Sequence, residues 1–210
     1  QAIDDFGEAG LPHVALGRTP FQQLWIQWTS IMDLSGHRVD APHRVQNCVA
    51  LMGSVLDQVT EAVLHCAEVV DVPYVVIGDN ITAPMIGEER FVRYCTPYYD
   101  RVADRMADKD IPLFVHMDGD LKPPANAIGA SRVAGIDSLS PPPDNDTSVE
   151  DALSLWPDMP LLVNFPSSVH LADSATIYEQ AARILEEGGH SGRIQIQISE
   201  NTPPDVWRKS

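Results

Sequence analysis

Positive charge is scarce in this sequence: 14 Lys and Arg stand against 30 Asp and Glu in 210 residues, a formal charge of -16. A surface so anionic repels phosphate backbones and acidic headgroups, so neither nucleic acid nor a membrane surface is an expected partner. Cysteine is equally sparse, with Cys48, Cys66 and Cys95 and no CxxC pair. The three read as reduced, mostly buried thiols of a cytoplasmic protein. No apolar run approaches the roughly 20 residues that a membrane crossing needs, and no signal-peptide pattern opens the chain. GxGxxG, P-loop and GxSxG patterns are missing too, which leaves nucleotide-binding and serine-hydrolase readings without a foothold.

What is present is enough for one domain over 1–210, since a hydrophobic content of 44% supplies a sizeable core. Short β-rich runs recur at His13 to Gly17, Tyr74 to Asp79, Leu113 to Asp118, Ile136 to Ser140, Leu161 to Phe165 and Arg193 to Ser199. Each is followed by a helical stretch, the pattern of βα units on a mainly parallel sheet. Tyr74 to Ile77 and Leu161 to Val163 are nearly all apolar, as doubly buried strands are. Arg193 to Ile198 alternates strictly, so one of its faces meets polar groups or solvent. The clearest helix carries Val45, Val49, Met52, Leu56, Val59, Val63, Cys66 and Val70 as one apolar stripe, with Asp40 and Pro42 as start signals and Pro73 after its end. A second helical stretch from Glu88 to Lys109 is expected to split at Pro97, with Thr96 as cap, and a third runs from Asp173 to Glu187 and stops at Gly188.

Unusual polar residues collect where the apolar runs end: Asp79 and Asn80, then His116, Asp118 and Asp120, Asp137 to Ser140, Asn164, and Ser199, Glu200 and Asn201. In a (β/α) barrel these ends open on one mouth, and in a doubly wound sheet they line one crevice. Within Phe114-Val115-His116-Met117-Asp118-Gly119-Asp120, strand alternation puts His116, Asp118 and Asp120 on one face and Met117 on the other. An imidazole with one or two carboxylates can bind a metal or move a proton. Plainer readings stand beside these: Asp118-Gly119 as a turn, Asp79-Asn80 as a cap, Asn164 as a turn holder, Glu200-Asn201 as a polar loop. His13, His37, His43, His65, His170 and His190 read as surface or capping residues, and Asp104, Asp108 and Asp110 as a solvated face.

Taken in order, Gly17-Arg18-Thr19-Pro20-Phe21, Ile77-Gly78-Asp79-Asn80, Pro97-Tyr98-Tyr99, Val115-His116-Met117-Asp118-Gly119, Val163-Asn164-Phe165-Pro166 and Ser199-Glu200-Asn201-Thr202-Pro203-Pro204-Asp205 resemble the uroporphyrinogen decarboxylase superfamily. That superfamily includes the decarboxylase and the corrinoid-linked methyltransferases. The resemblance implies a (β/α)8 TIM barrel with its site at the carboxyl mouth and spans the later two-thirds of the family's domain. Six strands fall short of the eight of a closed barrel, so the expectation is that the N-terminal strands and the last helix belong to a longer protein or that a partner chain completes the sheet.

The decarboxylase branch matches less closely, because its arginine-rich segment and its aspartate belong to strands not found here. Its Gly-His-Gly turn is also replaced by Ser199-Glu200-Asn201. The methyltransferase branch holds zinc through a His-x-Cys pair and a later Cys. Here His116 matches the histidine, Asp118 replaces the first cysteine, and Ser199 or Glu200 replaces the second. The resemblance thus implies zinc or a harder divalent metal on His116, Asp118 and Glu200. Glu200, Asp118 and Asp79 would be the catalytic groups, with Asn80, Asn164, Asp137 and Asn201 binding substrate. It further implies a small-molecule or corrinoid substrate, with a corrinoid protein or a second copy as partner. A tetrapyrrole decarboxylase and a non-catalytic binding module remain the alternatives.

Overall fold

The computed structural model of the chain describes residues 7, 10–81 and 83–198. Among the described residues six parallel strands form one open sheet: β1 (Val14–Gly17), β2 (Val75–Ile77), β3 (Leu113–His116), β4 (Gly135–Leu139), β5 (Leu161–Asn164) and β6 (Ile194–Gln197). Spatial order equals chain order, with β1 and β6 at the edges. A doubly wound sheet reverses direction at a switch point, whereas a barrel adds each strand beside the last. The order is therefore that of an incomplete TIM-type barrel.

Between the strands run α1 (Pro20–Gln23), which continues as a π-turn to Trp28, α2 (Ile31–Asp40), α3 (Pro42–Cys66), α4 (Ala83–Tyr94), α5 (Thr96–Ala107), α6 (Ala125–Ala130), α7 (Val149–Leu155) and α8 (Ser174–Gly188). Successive helices touch, with α3 against α5, α4 against α6, α6 against α7 and α7 against α8. They form a layer over one face of the sheet. That face carries the register row Ile77, Val115, Ile136, Leu161 and Ile194, and the main core lies beneath it. The opposite face bears Phe114 paired with Gly135, His116 with Asp137, and Asn164 with Gln197. Gln197 of β6 also reaches Asp137 and Ser138 of β4 at 2.8 and 2.9 Å. Strands two apart lie nearly 10 Å from each other in a flat sheet, so this link requires the sheet to curl towards that face.

The apolar stripe of α3 buries Val45, Val49, Leu56 and Val63, with Gly53 and Thr60 completing it. Val70 lies beyond the helix end and is exposed. Pro97 does split the second helical stretch, but Thr96 is no cap, because it is the first residue of α5 and its hydroxyl donates to Val92 O. Asp173 caps α8 through Thr176 N. Two expectations fail on burial. Cys48 and Cys66 are exposed and only Cys95 is buried. His170, read as a surface residue, is buried against Phe165.

Candidate functional site at the carboxyl ends of the strands

β3 ends at His116, two residues earlier than the alternation suggested. Asp118 and Asp120 are thus loop residues, and they part company. Asp118 turns back to His116, its Oδ2 3.6 Å from Nε2. Asp120 instead accepts from Asp146 N in a neighbouring loop. Met117 is buried, as expected of the opposite face.

His116 meets a carboxylate at each ring nitrogen, since Nδ1 lies 3.0 Å from Asp137 Oδ2. Asp137 holds that position as the direct register partner of His116 across β3 and β4, one residue before Ser138 at φ 58, where the β4–β5 register shifts between Ile136 and Leu139. A left-handed serine is costly, and bulges of this kind re-aim a side chain beside a site. Gln197 holds the other Asp137 oxygen. Burial alone pushes the His116 pKa down, but its contacts with Asp118 and Asp137 outweigh this and raise it to about 9. Burial likewise opposes ionisation of Asp137, yet bonding to His116 and Gln197 keeps its pKa below the ordinary carboxylate value.

The network continues across the mouth. Asn80 donates to Asp118 Oδ2 at 3.3 Å, and its own carbonyl accepts from Arg18 Nη1 at 3.0 Å. Arg18 follows a second bulge, between Ala15 and Gly17, where Gly17 has φ 91. Arg18, Asn80, Asp118, His116, Asp137 and Gln197 therefore form one chain of contacts drawn from five strands.

Two predicted residues face elsewhere. Asp79 is fully buried and accepts from Thr19 N at 2.8 Å, Thr19 Oγ1 at 2.6 Å and Tyr99 OH at 2.7 Å. Burial raises its pKa, and those bonds oppose the rise. Its carboxylate ties the ends of β1 and β2 to α5 rather than opening on the mouth. Asn164 is buried on Ser140. Glu200 and Asn201 lie outside the described residues. Among the described residues no group of three His, Cys, Asp or Glu converges closely enough to hold a metal ion alone.

The sequence model of the family described as Uroporphyrinogen decarboxylase (URO-D) matches residues 38–206, from the last turn of α2 past the last described strand. The chain belongs to the uroporphyrinogen decarboxylase family. No curated protein matches it. Family membership agrees with the sequential strand order and with polar side chains gathered at one end of the sheet. Arg18 and Gln197 were not singled out from the sequence as site residues. Arg18 stood inside the Gly17-Arg18-Thr19-Pro20-Phe21 segment, and Gln197 inside the alternating last strand.

Proposed function

We propose that this chain is a metal-dependent, methyl-transferring enzyme of the uroporphyrinogen decarboxylase family, with His116 and Asp118 as ligands of zinc or another divalent cation. The observation that supports it is the 3.6 Å separation of His116 Nε2 and Asp118 Oδ2. Two ligand atoms about 2.1 Å from one tetrahedral ion lie roughly 3.4 Å apart, so a small movement suffices. Asp137 on the other ring nitrogen is the carboxylate that metal-bound histidines commonly carry, where it selects the tautomer and raises the basicity of the ring. Glu200 is the third ligand or a general base. With nitrogen and oxygen donors only, the site favours harder ions than a thiolate site does.

A cation held there would supply Lewis-acid activation of a thiol or similar acceptor, with a corrinoid as methyl donor or acceptor. Asp137 and Gln197 fix the imidazole plane. Asn80 keeps Asp118 Oδ2 turned towards His116. Asn201 and the outer part of the mouth meet the small-molecule or corrinoid substrate, delivered free or on a corrinoid protein, and a second copy covers the open edges. The setting is cytoplasmic, where Cys48, Cys66 and Cys95 stay reduced.

Zinc loading followed by elemental analysis of the wild type and His116→Ala tests this. The wild type retains zinc through gel filtration and the variant does not. Equal metal content in both removes the metal reading, and turnover of uroporphyrinogen then decides for the decarboxylase chemistry.

A further inference from the structure

α3 carries two apolar faces, and the core uses only one of them. Val45, Val49, Leu56 and Val63 are buried against the sheet. The flank towards α5 is closed by Tyr98 over Gly53 and by Arg101 and Arg105 on Asp57 and Glu61. On the opposite flank run Cys48, Met52, Val55, Val59, Ala62 and Cys66, spaced alternately four and three residues apart. That is the repeat of a helix that packs lengthwise on another helix. The stripe is open: Cys48, Ala62 and Cys66 are exposed, Val55 is 54% exposed, and Met52 and Val59 are half-buried. Leu51 and Trp28, both exposed, widen it, and a depression of about 450 Å³ lies between Leu24, Trp28 and the first half of the stripe. A contiguous apolar strip marks an interaction surface, whereas singly scattered apolar residues do not.

The pattern also indicates the occupant. The stripe is symmetric about the level of Asp57, so a second α3 laid antiparallel sets Cys48 opposite Cys66 of the partner subunit, Met52 opposite the partner's Ala62 and Val55 opposite the partner's Val59. A twofold axis repeats each pair, and the longest side chain meets the smallest. Charge favours the same arrangement. Residues 42–56 contain His43 and Arg44 and no carboxylate, whereas residues 57–71 contain Asp57, Glu61, Glu68 and Asp71. Antiparallel packing lays the first stretch along the second stretch of the other copy, while parallel packing sets the two acidic stretches side by side.

We propose that this flank of α3 is a self-complementary interface on which a second copy of the chain packs its own α3 antiparallel. α3 touches the edge strand β1, so the interface rests on, and gives a place to, the second copy of the proposed function. It is independent of the metal and of the reaction.

The test combines association with cross-linking of the full chain. Sedimentation in reductant gives a dimer at protein concentrations up to ~100 μM. Val55→Lys, which sets a charge in the middle of the stripe, weakens that association by about tenfold or more. Brief copper–phenanthroline oxidation of the wild type gives a covalent dimer on a non-reducing gel. Cys48→Ala alone and Cys66→Ala alone stay single chains, and an equal mixture of the two is cross-linked, because only the mixed pair sets a Cys66 against a Cys48. These two positions are exposed, so they carry the test even where Val55→Lys fails to fold. Cross-linking of either cysteine variant by itself, none in the mixture, or a dimer indifferent to Val55→Lys overturns the inference and leaves a second copy standing elsewhere on the chain. A single chain at every concentration removes the second copy altogether. Zinc content of the same samples matches the wild type, which keeps the outcome separate from the metal reading.

Discussion

His116 Nδ1 and Asp137 Oδ2 lie 3.0 Å apart, on residues that are direct register partners in adjacent parallel strands. A parallel pair of this kind holds a histidine without loop participation, so the ring orientation is as rigid as the sheet. Asp137→Asn should therefore leave the fold intact while removing the acceptor that selects the tautomer. The expected result is a loss of about 10- to 100-fold in zinc affinity, read by competition with a chromophoric chelator. Gln197→Ala should produce a smaller loss in the same direction. An Asp137→Asn variant with wild-type affinity would show that the ring needs no such support.

The pH dependence of the metal-free protein follows from the same contact. The folded pKa of His116, about 9, lies above the ordinary value of 6.5. The stability linked to its proton is therefore complete below pH 6.5 and is lost as pH rises through 9. Allowing for solvent screening, the loss is on the order of 2 kcal/mol. Melting temperatures measured from pH 6 to 10 in chelator should fall more for the wild type than for His116→Gln. Parallel curves would place the effect on other groups.

Asp79 carries a structural prediction. Its carboxylate accepts three bonds in full burial, so Asp79→Ala strands Thr19 and Tyr99 donors in the interior. Urea unfolding should register a loss of about 3 kcal/mol. Folding stability equal to the wild type would return Asp79 to the list of groups free to act on substrate.

Gly135 tests the concave face. A Cβ added there would run into the ring of Phe114, its register partner. Gly135→Ala should cost about 1 to 3 kcal/mol, and Phe114→Leu in the same chain should recover part of it. Simple additivity of the two changes would mean that they do not touch.

The six strands were legible because apolar runs bounded by turn residues recur, and because both-face burial leaves the all-apolar signature of β2 and β5. His116 and Asp118 were legible as a pair through their spacing together with the polar residues at the other strand ends, although Asp118 reaches His116 from the loop rather than from the strand. The meeting of Asp137 with His116 was not, because it depends on the register between β3 and β4, which neither strand fixes when read alone. Asp79 was read as facing the mouth for a similar reason. Nothing local in Gly78-Asp79-Asn80 tells which of two adjacent polar side chains turns inward, and that choice is made by Thr19 and Tyr99, 60 and 20 residues away. Arg18 illustrates the converse, a charge whose bonds to Gly78 O and Asn80 emerge only once its neighbours are known.

Strand order that copies chain order has a consequence for dissection. Every interior pairing joins sequence neighbours, so trimming the chain from either end peels away one outer βα unit and severs no pairing deeper in the sheet. Shortened versions should lose stability in steps, each of one unit, and the contacts between His116 and Asp137, which sit on the two central strands, should be the last to go.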